Sequence, residues 1–356
     1  MEGLSMTFLS RGHGFGHAAR DERIIEELYA LEPGLRLTLA SSGSGATFFA
    51  QRGRDFVDLG FPDSEDHGTD AVWAVWRLLH EARDTDVVVS DEFFHAAPFA
   101  RRVLGRPVVV LTDWFGAEFG APDADEPLRD ASEVIVTDFP EVHPVLPYLD
   151  VPVTVSGPIV RRFGSTGRDL PGLGGRPGLL GVVSMGGRPD RRRGLEMLRA
   201  VLRAWGRRPR DGRLVILCDP PVRAVVEDPS VVWVGRVHDP EAYYAAADFV
   251  VCDGTGFTVC DLAHNDVPSV ALLPVGLDGN ERTQVSARLR AVSALGPVGV
   301  VDAREPERFW GVLERVLDRP RTAEAELAGA AWGQARAVAT RILAHARPSA
   351  VVGGVR

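Results

Sequence analysis

Residues 247–263 read ADFVVCDGTGFTVCDLA, and this stretch decides the fold class. Its apolar start predicts a buried strand, the small residues at 254–256 predict a tight turn, and the remainder has helical spacing. A strand that enters a helix through glycines is typical of a parallel α/β sheet. Backbone amides at the start of such a helix suit a phosphate, and Asp261 could accept hydrogen bonds from a ribose diol. The stretch therefore predicts a nucleotide-binding α/β domain.

The same alternation of strand and helix extends over nearly the whole chain. Strands that are apolar throughout and separated by helices predict parallel sheets covered on both faces. In the first half we predict strands at 5–10, 35–40, 55–59, 86–90, 107–111, 133–137 and 152–155, with helices at 17–31, 69–83 and 95–104. In the second half we predict strands at 179–184, 213–218, 231–235, 248–252, 269–273 and 298–301.

The predicted organisation is therefore two doubly wound α/β domains in tandem. The first covers residues 1–163, and a linker rich in Gly and Pro follows at 164–178. The second domain covers 179–321, and a terminal helix with a short tail occupies 322–356.

Composition narrows the class of protein. The chain has 356 residues, 45% of them hydrophobic, and a net charge of −9, which argues against a general nucleic-acid surface. All 40 basic residues are Arg, which indicates a GC-rich bacterial genome. The three cysteines lie in apolar stretches without C-x-x-C spacing, and no apolar run approaches the ~18 residues of a membrane span. We expect a cytoplasmic protein. The sequence leaves open a peripheral membrane contact and the oligomeric state.

The turn after the first strand carries two histidines. Residues 10–21 read SRGHGFGHAARD, so His13 and His17 flank the glycines that let a ligand approach the backbone. Histidine is the side chain best suited to proton transfer near neutral pH. The alternative is a glycine turn whose histidines only cap the helix.

The run from Gly14 to Asp21, Gly-Phe-Gly-His-x-x-Arg-Asp, resembles the N-terminal signature of the GT-B glycosyltransferases. It is similar to that of the peptidoglycan GlcNAc transferase, of glycosyltransferase family 28, and more similar still to that of the UDP-sugar hydrolase of pseudaminic acid synthesis. The resemblance implies two Rossmann-like domains facing across a cleft, with Gly14 and Gly16 near the ligand and His17 catalytic. His13 has no firm counterpart in these families and is a second candidate.

The second half resembles the donor-binding domain of the same families. The loop 183–188 is similar to their diphosphate-side loop, 235–239 to the loop whose backbone reads the base, and 274–284 to the region that holds the donor sugar. Asp261 stands where these families usually have the Glu that binds ribose. The donor-binding residues that the resemblance implies are Gly186, Gly187, Arg188, Val237, Gly254, Thr255, Gly256, Phe257, Asp261, Asn280 and Gln284.

Several acidic residues follow predicted strands. Asp91 and Glu92 come after 87–90, and Asp113 comes after 108–111, so any of these carboxylates could orient His17 or act as the base. The D-x-D runs at 84–86 and 123–125 are expected to be coincidental. GT-B chemistry is metal-independent as a family, so the resemblance implies neither a metal ion nor a cofactor.

Aromatic and basic clusters have two interpretations. The rings could form core, or they could wall the cleft for a bulky acceptor. The rings in question are Trp73, Trp76, Phe93, Phe94, Trp114 and Phe115. The arginine runs 161–162 and 191–193 are expected to be solvated.

The resemblance implies an inverting, metal-independent glycosyl transfer from a nucleoside-diphosphate sugar, with UDP favoured, to a hydroxylated and bulky or apolar acceptor. His17 would take the acceptor proton, and the amides at 186–187 and 255–256 would stabilise the leaving diphosphate. The alternatives are a nucleotide-sugar hydrolase and a non-catalytic partner that binds sugar nucleotides. The sequence does not specify the sugar, the nucleobase or the acceptor.

Overall fold

The computed structural model describes residues 3–63, 68–143, 149–164, 170–174, 178–185, 191–209, 211–218, 228–235, 237, 239–319 and 332–347. Contacts divide the chain into two compact units. The first unit comprises Met1–Asp138, Val145–Ile159 and Gly333–Arg356. The second comprises Phe139–Pro144 and Val160–Trp332.

The first unit contains a parallel sheet of seven strands in the order β3-β2-β1-β4-β5-β6-β7. Its strands are β1 (Ser5–Leu9), β2 (Arg36–Ser41), β3 (Val57–Asp58), β4 (Val87–Asp91), β5 (Val108–Thr112), β6 (Glu133–Val136) and β7 (Val153–Val155). Its helices are α1 (Gly14–Leu31), α2 (Gly43–Gln51), α3 (Thr69–Glu81) and α4 (Ala96–Pro98), together with 3-10 turns at Gly116–Phe119 and Pro122–Asp130. The central strands are valine-rich and buried because helices cover both faces of the sheet.

The second unit repeats this plan with six parallel strands in the order β10-β9-β8-β11-β12-β13. The strands are β8 (Leu179–Ser184), β9 (Gly212–Ile216), β10 (Val231–Trp233), β11 (Phe249–Asp253), β12 (Ser269–Leu273) and β13 (Val298–Asp302). The helices are α5 (Arg191–Trp205), α6 (Pro240–Ala246), α7 (Thr258–His264), α8 (Gly279–Leu295) and α9 (Phe309–Leu317). Both units are therefore doubly wound, as the sequence predicts.

The helix boundaries differ from the prediction in three places. Helix α1 begins at Gly14, three residues before the predicted start at 17, so His17 lies within its first turn. Helix α2 was not predicted, because its start, Gly43–Gly45, reads as a loop. The predicted helix 95–104 is interrupted: α4 ends at Pro98, which has no amide hydrogen to donate, and Phe99–Val103 continues as a π-helix.

The last helix of the chain, α10 (Ala335–Ala346), belongs to the first unit, where it packs against α1. Val338, Ile342 and Leu343 join the core that lies on this face of the sheet. Apart from Phe139–Pro144, the chain enters the second unit at Val160, just before the predicted linker 164–178. Residues 165–169 and 175–177 of that linker lie outside the described residues.

A buried carboxylate fastens α10 to the sheet. Glu133, at the start of β6, accepts hydrogen bonds from Thr154 Oγ1 at 2.6 Å, Arg341 Nε at 2.6 Å and His345 Nε2 at 2.9 Å. Burial opposes ionisation of Glu133, but these three donors outweigh it and hold its pKa below the ordinary value. The carboxylate therefore stabilises the native state at neutral pH, and this contribution is lost as the pH falls through the acid range.

Glu133→Ala is expected to lower the free energy of unfolding by about 1–3 kcal/mol, because it leaves three donors without their acceptor. Chemical denaturation at neutral pH measures the loss. Arg336→Met is the control on the same helix, because Arg336 pairs on the surface with Glu27 and its removal is expected to cost less than about 1 kcal/mol. Equal effects of the two substitutions would contradict the assigned role of Glu133.

Candidate active site

In the first unit, the strand order reverses between β1 and β4, which are neighbours in the sheet and carry connections to opposite sides. Ligands of open α/β sheets bind beyond the carboxyl ends of the strands at such a switch point. Arg11 follows β1, Asp91 ends β4, and His17 projects from the first turn of α1 at the same edge. The residues that the sequence singles out at these strand ends therefore come together.

His17 and Asp91 form a hydrogen-bonded pair. The Nδ1 atom of His17 lies 3.0 Å from Asp91 Oδ2, and the same oxygen accepts the backbone N–H of Arg11 at 3.3 Å. Asp91 is fully buried, whereas the His17 side chain is 15% exposed. An Asp acceptor at Nδ1 makes that nitrogen the protonated one, so Nε2 is the nitrogen that can accept a proton.

The surrounding charges raise the pKa of His17. Burial by itself would lower it, but the negative charges of Asp91 and Glu92 and the hydrogen bond to Asp91 outweigh burial and raise the pKa to about 9. The same neighbours affect Asp91: burial opposes its ionisation, and the charges of Arg20 and His17 hold its pKa well below the ordinary range. His17 is therefore a stronger base than a solvated histidine.

Glu92 and Arg11 form a second buried pair beside His17. Glu92 Oε2 accepts a hydrogen bond from Arg11 Nη1, and Glu92 Oε1 accepts the backbone N–H of Asp113 at 3.3 Å. Burial opposes ionisation of Glu92, but the charges of Arg11 and His17 lower its pKa to about 2. Its backbone φ is 57°, in the left-handed region that a non-glycine residue rarely adopts. Strain of this kind is concentrated at functional sites.

His17, Glu92 and Asp113 also have the spacing of a metal-binding group. One ligand atom from each lies within 4.8 Å of the others, among the described residues. Glu92, one of the three, already pairs with Arg11. Metal independence stays a prediction.

The other predicted site residues of this turn are His13, Gly14 and Gly16. His13 is exposed at the N-cap of α1, where its side chain does not cap the helix. Gly14 has φ = 71°, which only glycine adopts without cost, and Gly16 is exposed on the helix. Of the two histidines, His17 is the one that contacts the buried carboxylate.

In the second unit, the corresponding switch point lies between β8 and β11. The turn after β11 is closed by Asp253, whose Oδ1 accepts the backbone N–H of Thr255 at 2.9 Å and its hydroxyl at 2.8 Å. A side chain at Gly254 would lie 2.8 Å from the carbonyl oxygen of Leu272, so this position has no space for one. The predicted loop residues Gly186, Gly187 and Arg188 lie outside the described residues.

Arg288, which no motif of the sequence indicates, supports this turn from α8. Its Nη1 donates to the carbonyl oxygen of Thr255 at 3.0 Å, and its guanidinium lies 4.5 Å from the centroid of the Phe257 ring. A buried cation thus lies under the segment that the resemblance assigns to the donor. Arg288 lies four residues, about one helical turn, after Gln284 on α8. This spacing could have indicated Arg288 only if the bounds of α8 were already known.

The other expected donor residues lie on two segments of this unit. Asn280 is exposed in the first turn of α8, Gln284 lies one turn later, and Val237 packs partly against the core. Between the first turns of α5 and α8, Arg193 pairs with Glu281 at 2.8 Å.

Asp261 accepts hydrogen bonds from Arg161, which the sequence predicts to be solvated. Its Oδ1 accepts the backbone N–H of Arg161 at 2.8 Å, and its Oδ2 accepts Arg161 Nε at 2.8 Å. Arg161 also pairs with Glu241, and its side chain is 19% exposed. The expectation of a solvated Arg161 is therefore wrong, because two carboxylates compensate its burial, whereas Arg162 is exposed. A ribose diol at Asp261 would have to share the carboxylate with Arg161.

One aspartate of each D-x-D run accepts hydrogen bonds from backbone N–H groups. Asp86 Oδ2 accepts the backbone N–H of Ser5 at 2.8 Å, which ties the start of β4 to β1. Asp125 is buried and accepts the N–H groups of Gly116 at 2.6 Å and Ala117 at 2.8 Å. Asp86 and Asp125 therefore have structural roles.

The six aromatic side chains divide between core and surface. Phe93, Phe94 and Phe115 are buried in the first unit's core, so the interpretation as a wall for an acceptor is wrong for these three. Their rings follow strand ends but point into the layer under the helices. Trp76 and Trp114 are partly buried against this core, and Trp73 is 62% exposed.

Solved structures share this architecture. The glycotransferase of kitacinnamycin superposes with a TM-score of 0.66 at 17% identity, over 97% of this chain and 100% of that one. MurG of Acinetobacter baumannii gives a TM-score of 0.60 at 14% identity, over 96% and 99% of the two chains. The spinosyn rhamnosyltransferase SpnG in complex with spinosyn aglycone gives 0.61 at 15% identity, over 96% of each chain.

By sequence, no protein-family model and no curated protein matches the chain. No helix among the described residues has the length and apolar character needed to cross a membrane. The structural likeness covers both sheets and nearly the full length of each compared chain. The chain has the GT-B fold of these glycosyltransferases.

Proposed function

We propose that this protein transfers a sugar from a nucleoside-diphosphate sugar, with UDP favoured, to a hydroxyl group of a small-molecule acceptor. The observation that carries the proposal is the buried Asp91 carboxylate 3.0 Å from Nδ1 of His17 at the switch point of the first sheet. A base in this position and a fold shared with sugar transferases together favour glycosyl transfer.

The acceptor proton goes to His17. With Nδ1 donating to Asp91, Nε2 takes the proton of the acceptor hydroxyl as its oxygen attacks the anomeric carbon of the donor sugar. Asp91 then stabilises the imidazolium that forms. The bond from the anomeric carbon to the diphosphate breaks, and the nucleoside diphosphate leaves with the electron pair. Attack from the opposite face inverts the anomeric configuration.

The second unit holds the donor in this proposal. Backbone amides of the turn 254–257 and of the loop 186–187 take the diphosphate, and Val237 contributes backbone contacts to the base. Asp261 binds the ribose, and Asn280 and Gln284 bind the sugar. Arg288 adds positive charge beneath the turn, where the leaving diphosphate gains negative charge. The chemistry needs neither a metal ion nor a cofactor.

A nucleotide-sugar hydrolase is the second candidate. The run at 14–21 is shared with the hydrolase of pseudaminic acid synthesis, and the burial of Phe93, Phe94 and Phe115 removes part of the aromatic surface expected for a bulky acceptor. In a hydrolase, water would take the place of the acceptor hydroxyl. The transferase is favoured because the compared structures of this fold are described as transferases, one of them holding an aglycone.

The transferase and the hydrolase differ in whether rapid release of UDP requires an acceptor. We expect UDP-sugar to be turned over slowly alone and faster when a bulky hydroxylated aglycone is supplied, because a transferase excludes water until the acceptor closes the site. Chromatography of UDP, free sugar and glycoside measures both reactions, with TDP-sugars tested in parallel and a protein-free reaction as the blank. Acceptor-independent release of free sugar at roughly 1–10³ per second would replace the transferase by the hydrolase. Binding of UDP with no turnover in either assay would indicate the non-catalytic partner.

A further inference from the structure

Arg20 joins three parts of the first unit beneath His17. It lies on α1 one turn after His17, and its side chain is 7% exposed. Its Nη2 donates to Asp91 Oδ1, its Nη1 to Thr137 Oγ1 at 2.9 Å, and its Nε to Asp21 Oδ1 at 3.2 Å. The planar guanidinium is thus fixed at all three of its nitrogens.

The two oxygens of Asp91 have separate partners. Oδ1 faces Arg20, whereas Oδ2 faces His17 Nδ1 and the backbone N–H of Arg11. Because the guanidinium holds Oδ1, the carboxylate cannot turn away from the imidazole without breaking that ion pair. We propose that Arg20 is a positioning residue, which holds Asp91 against Nδ1 of His17 and so keeps Nε2 as the atom that takes the substrate proton.

Arg20 also acts on the charge of His17. Its Nη2 lies 3.4 Å from Nδ1, and its positive charge opposes the rise in the pKa of His17 that Asp91 and Glu92 cause. The charged groups that face His17 are Arg20 on its own helix, Asp91 at the end of β4, Glu92 directly after it, and Asp113 after β5. Removing the guanidinium therefore raises the pKa of His17 further.

Asp21 completes the arrangement as the partner of Arg20 Nε. Ser10 Oγ donates to its Oδ2 at 2.6 Å, and burial together with the nearby Asp91 charge raises its pKa well above the ordinary value. Asp91 is the carboxylate that Arg20 and His17 share. Asp21→Asn keeps an acceptor oxygen for Arg20 Nε and is expected to preserve the arrangement.

The inference rests on the proposed role of His17 as base, and two substitutions test it in the full-length protein. Arg20→Lys keeps the charge but loses the planar fork, so kcat is expected to fall on the order of 10²-fold while the pKa of His17 and the affinity for UDP stay unchanged. Arg20→Met is expected to lower kcat further and to move the His17 titration and the pH profile of kcat to higher pH. Arg23→Met is the control, because Arg23 lies one turn further along α1 and pairs with exposed Glu26.

The readouts are the NMR titration of the His17 ring and the pH profile of acceptor-dependent UDP release. If Arg20→Met fails to fold, the Arg20→Lys variant tests the proposal by itself. A fall in its kcat at unchanged UDP affinity, in a folded protein, would support the positioning role. Parental kcat in Arg20→Lys, or an unmoved His17 titration in folded Arg20→Met, would overturn the proposal and leave Arg20 a purely structural residue. The titration needs no substrate, so it tests Arg20 even if His17→Ala retains full turnover and the proposed function fails.

Discussion

Replacing His17 by alanine is expected to lower the rate of acceptor-dependent UDP release by roughly 10²–10⁴-fold, the range for a lost acid–base group. The affinity for UDP should be nearly unchanged, because the donor is assigned to the second unit and His17 acts on the acceptor hydroxyl. Steady-state kinetics at saturating acceptor measures the first quantity, and calorimetric titration with UDP measures the second.

His13→Ala is the matched control for this experiment. Both histidines belong to the same turn, but His13 is exposed at the N-cap while His17 contacts the buried Asp91. We expect His13→Ala to keep the parental rate. A parental rate in His17→Ala would contradict the assignment and shift the role of base to Asp91, Glu92, Asp113 or His13.

The second large effect concerns Asp261 and the free energy of unfolding. Asp261→Ala is expected to destabilise the second unit by about 3–5 kcal/mol, because it leaves Arg161 with one of its two carboxylates and its backbone N–H without an acceptor. In the native protein the charges of Asp261 and Glu241 outweigh burial and raise the pKa of Arg161. An arginine stays charged at neutral pH without such partners, so the guanidinium of the variant cannot avoid the cost by losing its proton. Chemical denaturation measures the loss.

Two further variants, Arg161→Met and Arg162→Met, distinguish the Arg161–Asp261 ion pair from a general effect of lost charge. Arg161→Met should share most of its cost with Asp261→Ala in a double-mutant cycle, whereas exposed Arg162 should be neutral. Calorimetry on the folded Asp261→Ala protein tests the ribose role, for which we expect UDP binding to weaken by about 1–3 kcal/mol. Additive costs of Arg161→Met and Asp261→Ala would contradict the pairing, and unchanged UDP affinity would remove the ribose role.

The fold was predictable because the strands are buried on both faces. Apolar runs such as Val87–Val89 and Val108–Leu111 are visible in the sequence without any knowledge of their partners. The helix boundaries were harder to predict. The run Gly43–Gly45 has the composition of a loop, and only packing against the rest of the unit makes it the start of α2.

The site was predictable up to the choice of partners. Strand ends identified Asp91, Glu92 and Asp113 as the acids near His17, because carboxyl ends of parallel strands meet at one edge. Which acid bonds to His17 depends on side-chain orientation, which the sequence does not contain. Arg20 stands in the same run as His17, but its role appears only when β4 brings Asp91 beside it.

Contacts between distant residues were beyond prediction. Arg161 and Asp261 are 100 positions apart, and an arginine pair at 161–162 has the pattern of a solvated surface. Similarly, Phe93, Phe94 and Phe115 follow strand ends, where either core or ligand contact is possible, and the structure places them in the core. The sequence shows that these residues lie near an edge but not which way their side chains point.

The dependence of acceptor-supported UDP release on pH tests the central claim most directly. A base acts in its neutral form, and Asp91 and Glu92 raise the pKa of His17 to about 9. From about pH 6 upward, kcat should therefore rise about tenfold per pH unit and level off near the pKa of His17. In Asp91→Asn the same rise should be displaced to lower pH, at a much lower plateau. A profile of the parent protein that is flat or falls over this range would contradict His17 as the base.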